Sequence, residues 1–259
     1  MTTPLDPAPT AGGVERWLLL RGLAREQRHW GAFPGLLASA LGAEVGGIDL
    51  PGAGTENQRR CPTTIRGIVD DTRGRWLRDR AEGRWNLLGI SLGGMVAMDW
   101  AAAYPSDFGR VVLVNTSAGN LAAPWERMDL AIVPQLVSAA RSDDLARRER
   151  IVLGFTSRLA PDLDRVAETW AGYAKDRPLR VETLLRQIFA ATRFRAPKSL
   201  GVRALVVAGA RDPLAHPVCA ERLAAHFHAP LAVHPGAGHD LPLDDGPWLA
   251  ETVRRWRDG

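Results

Sequence analysis

Six short runs of apolar, β-favouring residues alternate with longer stretches of helical spacing, and this alternation constrains the fold more than any other feature of the 259-residue chain. The runs fall at 15–20, 43–48, 85–89, 110–115, 203–208 and 231–234. They are apolar nearly throughout rather than at every second position, the pattern of strands covered by helices on both faces. Helices are predicted near 33–41, 63–82, 92–104, 217–225 and 247–257. The result is an α/β chain with a mostly parallel, doubly wound sheet.

The interval 118–196 breaks the alternation. It carries several helical patterns and no convincing strand. Val181, Leu184, Leu185, Ile188 and Phe189 recur at i, i+3, i+4, i+7 and i+8, which predicts an amphipathic face. Leu163, Val166 and Trp170 do the same after Pro161. This interval is read as a helical cap inserted into a core made of 13–117 and 197–259. Residues 1–12 read as a disordered, Pro-rich leader without the basic and apolar regions of a signal peptide.

Composition narrows the function classes. The net charge is +4, and all but Lys175 and Lys198 of the 33 basic residues are arginine. They are scattered, often in mixed-sign runs such as Arg147-Arg148-Glu149-Arg150, so no basic stripe for nucleic acid emerges. No uncharged run is long enough to span a membrane, and a cytoplasmic protein with no membrane partner is expected. Cys61 and Cys219 make no disulfide framework. Oligomeric state leaves no mark in the sequence.

Within that frame, Gly89-Ile90-Ser91-Leu92-Gly93-Gly94 joins a predicted strand to a predicted helix through a sharp turn. Gly89 and Gly93, two places before and two places after Ser91, let the turn adopt a crowded backbone conformation. The hydroxyl is then presented at a helix N-terminus, where unpaired N–H groups favour developing negative charge. In this context a G-x-S-x-G pattern reads as a nucleophile elbow rather than an ordinary turn.

A serine hydroxyl needs a base and an orienting acid. His239 follows the last strand on the glycine loop Pro235-Gly236-Ala237-Gly238, and Asp212 follows the strand at 203–208 through Gly209-Ala210-Arg211. Both lie at strand carboxyl ends, where open α/β sheets place their sites. Taken singly, His239 reads as a surface-turn histidine and Asp212 as part of an Asp-Pro turn; joined to Ser91, the chain order Ser, Asp, His points to hydrolytic chemistry. Asn115, at the end of the 110–115 strand, is uncharged and cannot serve as the acid.

These motifs, with Asp49-Leu50-Pro51-Gly52-Ala53-Gly54 and Ala101-Ala102-Ala103-Tyr104-Pro105, make the chain resemble a capped, esterase-like α/β-hydrolase-fold serine hydrolase from about Val14 to Trp256. The resemblance implies Ser91, Asp212 and His239 as nucleophile, acid and base. It also implies an oxyanion hole from the backbone N–H groups of Leu92 and Leu23, and no cofactor.

The second half of that hole departs from the family pattern. Where relatives usually carry His-Gly, this chain has Arg21-Gly22. Arg21 is read as anchoring the loop, for example on a carboxylate, with recognition of an acidic substrate group as the alternative. Trp125 and Trp170 are candidate pocket residues; together with Phe155, Tyr173, Phe189 and Phe194 they are each expected mainly in the cap core.

Other signals are set aside. Gly52-Ala53-Gly54 lacks the third glycine of a dinucleotide loop, since position 57 is Asn57. His226, His228, His234 and His239 lack acidic or Cys partners at ligand spacing, so no metal is expected. The expected activity is hydrolysis of a carboxylic ester or thioester with an apolar acyl group, through an acyl-enzyme on Ser91. C–C bond hydrolysis, acyl transfer, perhydrolysis or a non-catalytic binding role would use the same fold.

Overall fold

Alternate residues along each central strand enter two separate apolar layers. Leu18, Leu20, Leu87, Val111, Leu113 and Val206 pack on one face; Trp17, Leu19, Leu88, Ile90, Val112 and Val207 pack on the other. This period of two, with both sides buried, is why the runs are apolar throughout.

The computed structural model describes residues 14–259, so the leader expected at 1–12 lies outside the described residues. The first half runs β1 (Glu15–Leu20), α1 (Phe33–Leu41), β2 (Glu44–Gly47), α2 (Ile65–Asp79), β3 (Arg84–Ile90), α3 (Leu92–Ala103) and β4 (Arg110–Val114). There follow α4 (Pro124–Arg127), α5 (Val133–Ala140), α6 (Leu145–Thr156), α7 (Leu163–Asp176) and α8 (Val181–Arg193), with no strand among them. The chain then returns to β5 (Arg203–Gly209), α9 (Pro217–Phe227), β6 (Leu231–His234) and α10 (Leu241–Asp258). The strands form one sheet in the order β2-β1-β3-β4-β5-β6, every neighbouring pair parallel. Helices α1 and α10 cover one face through Phe33, Leu37, Leu249 and Val253. Helices α2, α3 and α9 cover the other through Ile68, Trp76, Val96, Trp100 and Leu223. The α/β, doubly wound architecture is therefore present. Because all strands run the same way, the loops after β1, β3, β4, β5 and β6 leave from one edge of the sheet.

Element ends differ from the predicted ones for local reasons. Helix α2 starts at Ile65 because Thr64 caps it, its Oγ1 accepting the Gly67 N–H at 3.1 Å. The last helix begins at Leu241 rather than 247, and its axis breaks at Asp245, whose φ is −153°. Pro247 opens the second segment, a position where its missing N–H has no partner to lose.

The amphipathic stripe of α8 is present and faces outward: Val181, Leu185, Ile188 and Phe189 lie on the surface, with Val181 73% and Leu185 60% exposed. The buried side carries Thr183, Gln187 and Ala190. Polar groups face in because they meet loop backbone: Gln187 Oε1 accepts the Ala24 N–H at 3.0 Å, and a Cβ on Gly52 would lie 2.5 Å from the Thr183 methyl.

Candidate active site

Ser91 stands between β3 and α3 with φ 56° and ψ −119°, a conformation that side-chain-bearing residues rarely adopt. The surroundings hold it there. Its N–H donates to Val114 O at 2.9 Å, and its carbonyl accepts from Thr116 Oγ1 at 2.7 Å. Close packing of α3 against β1 leaves no room beside it: a Cβ on Gly93 would lie 2.2 Å from the Leu20 carbonyl oxygen. Gly22 is a further close approach, where a Cβ would lie 3.0 Å from Ser91 Cβ and 3.6 Å from its Oγ. The loop after β1 is thus pressed against the serine side chain.

Asp212 and His239 meet directly. Asp212 Oδ2 lies 2.7 Å from His239 Nδ1, and the aspartate side chain is fully buried. Its Oδ1 accepts the N–H groups of Leu214 at 2.7 Å and Ala215 at 3.0 Å. One carboxylate therefore shapes the Asp-Pro turn with one oxygen and holds the imidazole with the other. Hydrogen bonding at Nδ1 assigns that nitrogen the proton and leaves the Nε2 lone pair free. Ser91 Oγ makes no hydrogen bond to the ring among the described residues, a contact that commonly tightens only around bound substrate. The Leu23 and Leu92 amides likewise have no hydrogen-bond partner among the described residues.

Several positioning residues lie outside the sequence-level set. Asn115, with φ 44°, ends β4 and bridges three loops. Its Nδ2 donates to the Gly238 and His239 carbonyls at 3.0 and 2.7 Å, and its Oδ1 accepts the Gly209 N–H at 2.8 Å. His234 Nδ1 accepts the Gly236 and Ala237 N–H groups at 3.1 and 2.9 Å, folding the glycine loop. Asp244 accepts the N–H groups of Gly238 at 2.7 Å and Arg158 at 2.9 Å, tying that loop to the segment after α6. The sequence signal for Asn115 and His234 is their position at strand ends, whereas Asp244 lies inside α10 and carries none.

The three pocket candidates separate. Arg21 is buried, with its two terminal nitrogens on the Asp240 carboxylate at 3.1 and 2.7 Å. Burial alone would raise the Asp240 pKa, but the Arg21 charge and hydrogen bonds outweigh it, and the carboxyl is held below its ordinary value. Trp170 is buried among Leu153 and Ala167, with the His29 ring 4.7 Å away and the Arg25 guanidinium 4.4 Å above it. Trp125 is 72% exposed. Phe155 and Phe194 are buried as expected, whereas Phe189 is exposed on the outward side of α8. Among the described residues no group of three or more His, Cys, Asp or Glu is arranged to hold a metal ion.

The family described as alpha/beta hydrolase fold matches residues 18–246, nearly the whole described chain. The protein belongs to that family. This α/β hydrolase is 29% identical over 163 residues to the biotin biosynthesis bifunctional protein BioHC of Teredinibacter turnerae, covering 58% of this chain and 27% of that protein. It is 34% identical over 92 residues to a poly(3-hydroxyalkanoate) depolymerase of Ectopseudomonas oleovorans, covering 36% and 32%. The matches thus span about a third or less of these curated relatives. Among solved structures, the enol-lactonase from Burkholderia xenovorans superposes with a TM-score of 0.72 at 22% identity, covering 96% of this chain and 94% of that one. No helix of the described residues is long and apolar enough to cross a membrane.

Proposed function

We propose that this α/β hydrolase cleaves a carboxylic ester or thioester through an acyl-enzyme on Ser91. The observation that carries the reading is the 2.7 Å contact between Asp212 Oδ2 and His239 Nδ1, at the same sheet edge as a serine held at positive φ. His239 Nε2 takes the Ser91 proton as Oγ attacks the acyl carbon. Negative charge moves to the carbonyl oxygen, which the unpaired Leu23 and Leu92 N–H groups receive. Collapse expels the alcohol or thiol, which leaves with the proton from His239. A water molecule, deprotonated by the same nitrogen, then attacks the acyl carbon and releases the acid and Ser91.

Helices in 118–196 act as the cap in this reading, since α8 hydrogen-bonds the loop carrying Leu23. Leu23, Leu121 and Phe194 share an apolar cluster with Leu92 and Met95, which supports an apolar acyl group. The depolymerase relative is named for a polyester and the enol-lactonase for a cyclic ester; both fit ester chemistry.

A fluorophosphonate probe and a panel of chromogenic esters test this. Wild-type protein is expected to take one label at Ser91 and to turn over esters, and Ser91→Ala to do neither. Folded wild-type protein that takes no label would overturn the reading and favour a binding role.

A further inference from the structure

Resting on that reading of Ser91 and His239, we propose that the buried Arg21–Asp240 pair is a positioning device that holds the oxyanion loop and the base loop in one fixed relation. Three observations meet at these residues. Arg21 lies between β1 and Gly22, and its main chain is pressed on the elbow helix: a Cβ on Gly93 would lie 2.6 Å from the Arg21 carbonyl oxygen. The next residue, Gly22, abuts the Ser91 side chain. The guanidinium then reaches 219 positions along the chain to the residue directly after His239, gripping both oxygens of Asp240.

The joint is stiff. Both side chains are at most 7% exposed, and the Trp30 ring lies 4.9 Å from the guanidinium carbon. Asp240 is fixed from the far side as well, its N–H donating to Thr156 O at 2.8 Å. A two-bond fork sets angle as well as distance, which a point charge does not. The Leu23 donor for a developing oxyanion and the base that moves the proton thus sit on loops joined by one rigid contact. Both terminal nitrogens of Arg21 are engaged by Asp240, and its buried Nε has no hydrogen-bond partner among the described residues.

Buried ion pairs replaced together by apolar residues of similar volume often leave stability unchanged or improved. That separates positioning from mere support. The double variant Arg21→Met/Asp240→Leu is expected to melt within about 4 °C of wild type. Its kcat on a chromogenic ester should nevertheless fall about 100-fold, the scale of an ångström-level misplacement, with KM changed less than about threefold. A labelled, folded double variant with kcat within about threefold of wild type would overturn the proposal. If the double variant does not fold, Arg21→Lys decides, since it keeps the charge and loses the fork. A roughly tenfold lower kcat at unchanged KM is expected, and an unchanged kcat overturns the proposal. Wild-type protein that takes no fluorophosphonate would instead remove the nucleophile reading on which the pair's role depends.

Discussion

The Asn115 side-chain amide donates to the His239 main-chain carbonyl at 2.7 Å while its oxygen accepts the Gly209 N–H at 2.8 Å. One uncharged residue at the end of β4 therefore ties the acid-bearing and base-bearing loops to the strand beside the elbow. The neighbouring Thr116 extends the tie to Ser91 through its carbonyl.

Replacing Asn115 by Asp keeps the acceptor for Gly209 and removes both donated bonds. It also sets a carboxylate against two carbonyl oxygens in a site that is 1% exposed. A loss of about 2–4 kcal/mol is expected, from two buried acceptors left unpaired at about 1–2 kcal/mol each. Urea denaturation read against wild type checks it, and a difference under about 0.5 kcal/mol would show that the bracket does not bear on stability.

Asp212→Asn preserves an oxygen for the Leu214 and Ala215 N–H groups but no longer offers a carboxylate to His239. The turn should survive and Tm stay close to wild type, while kcat falls about 10⁴-fold through the wrong imidazole tautomer. Steady-state ester hydrolysis beside a thermal melt separates the two effects. A parallel loss of both would assign Asp212 to the turn alone.

His29 supplies a pH dependence. Burial, with the nearby Arg25 and Arg21 charges, lowers its pKa from 6.5 to about 2, while its ring packs edge-on to Trp170 and Tyr173. Below pH 6.5 the unfolded chain takes up a proton that the folded protein refuses. The contribution to stability is therefore complete above that pH and is lost as pH falls towards 2. At about 1.4 kcal/mol per pH unit, wild type should lose about 2 kcal/mol more than His29→Gln between pH 7 and pH 5. Equal losses in the two proteins would refute the assignment.

Cys61 and Cys219 are each 1% exposed, and burial pushes both thiols up to about 11. Thiolate, the reactive form, is therefore scarce at pH 8. Native protein should react with a thiol reagent far more slowly than protein in denaturant, where both sulfurs are quickly modified. Fast native modification of either would show that its site opens readily.

The strands at Glu15–Leu20 and Leu231–His234 and the helix at Phe33–Leu41 match their predicted ranges, because each is bounded by local signals such as Gly42 after α1. The elbow was legible for the same reason, since glycine spacing and flanking patterns are short-range features. Of the candidate site, the sequence indicated which residue types stand at strand ends and in what order. It held no sign of Asn115 as a bracket, because an amide's role depends on which carbonyls lie within 3 Å of it.

Periodicity, likewise, established that α8 has an apolar stripe but not the direction in which it faces. Only packing on the Ala24 and Gly52 loops turned Thr183 and Gln187 inward and left Phe189 outside. Arg21 shows the division most clearly. The order of the chain by itself supplies an arginine at position 21, just before Gly22. Tertiary structure decided its partner, because Asp240 lies 219 positions away and only the parallel sheet brings both loops to one edge.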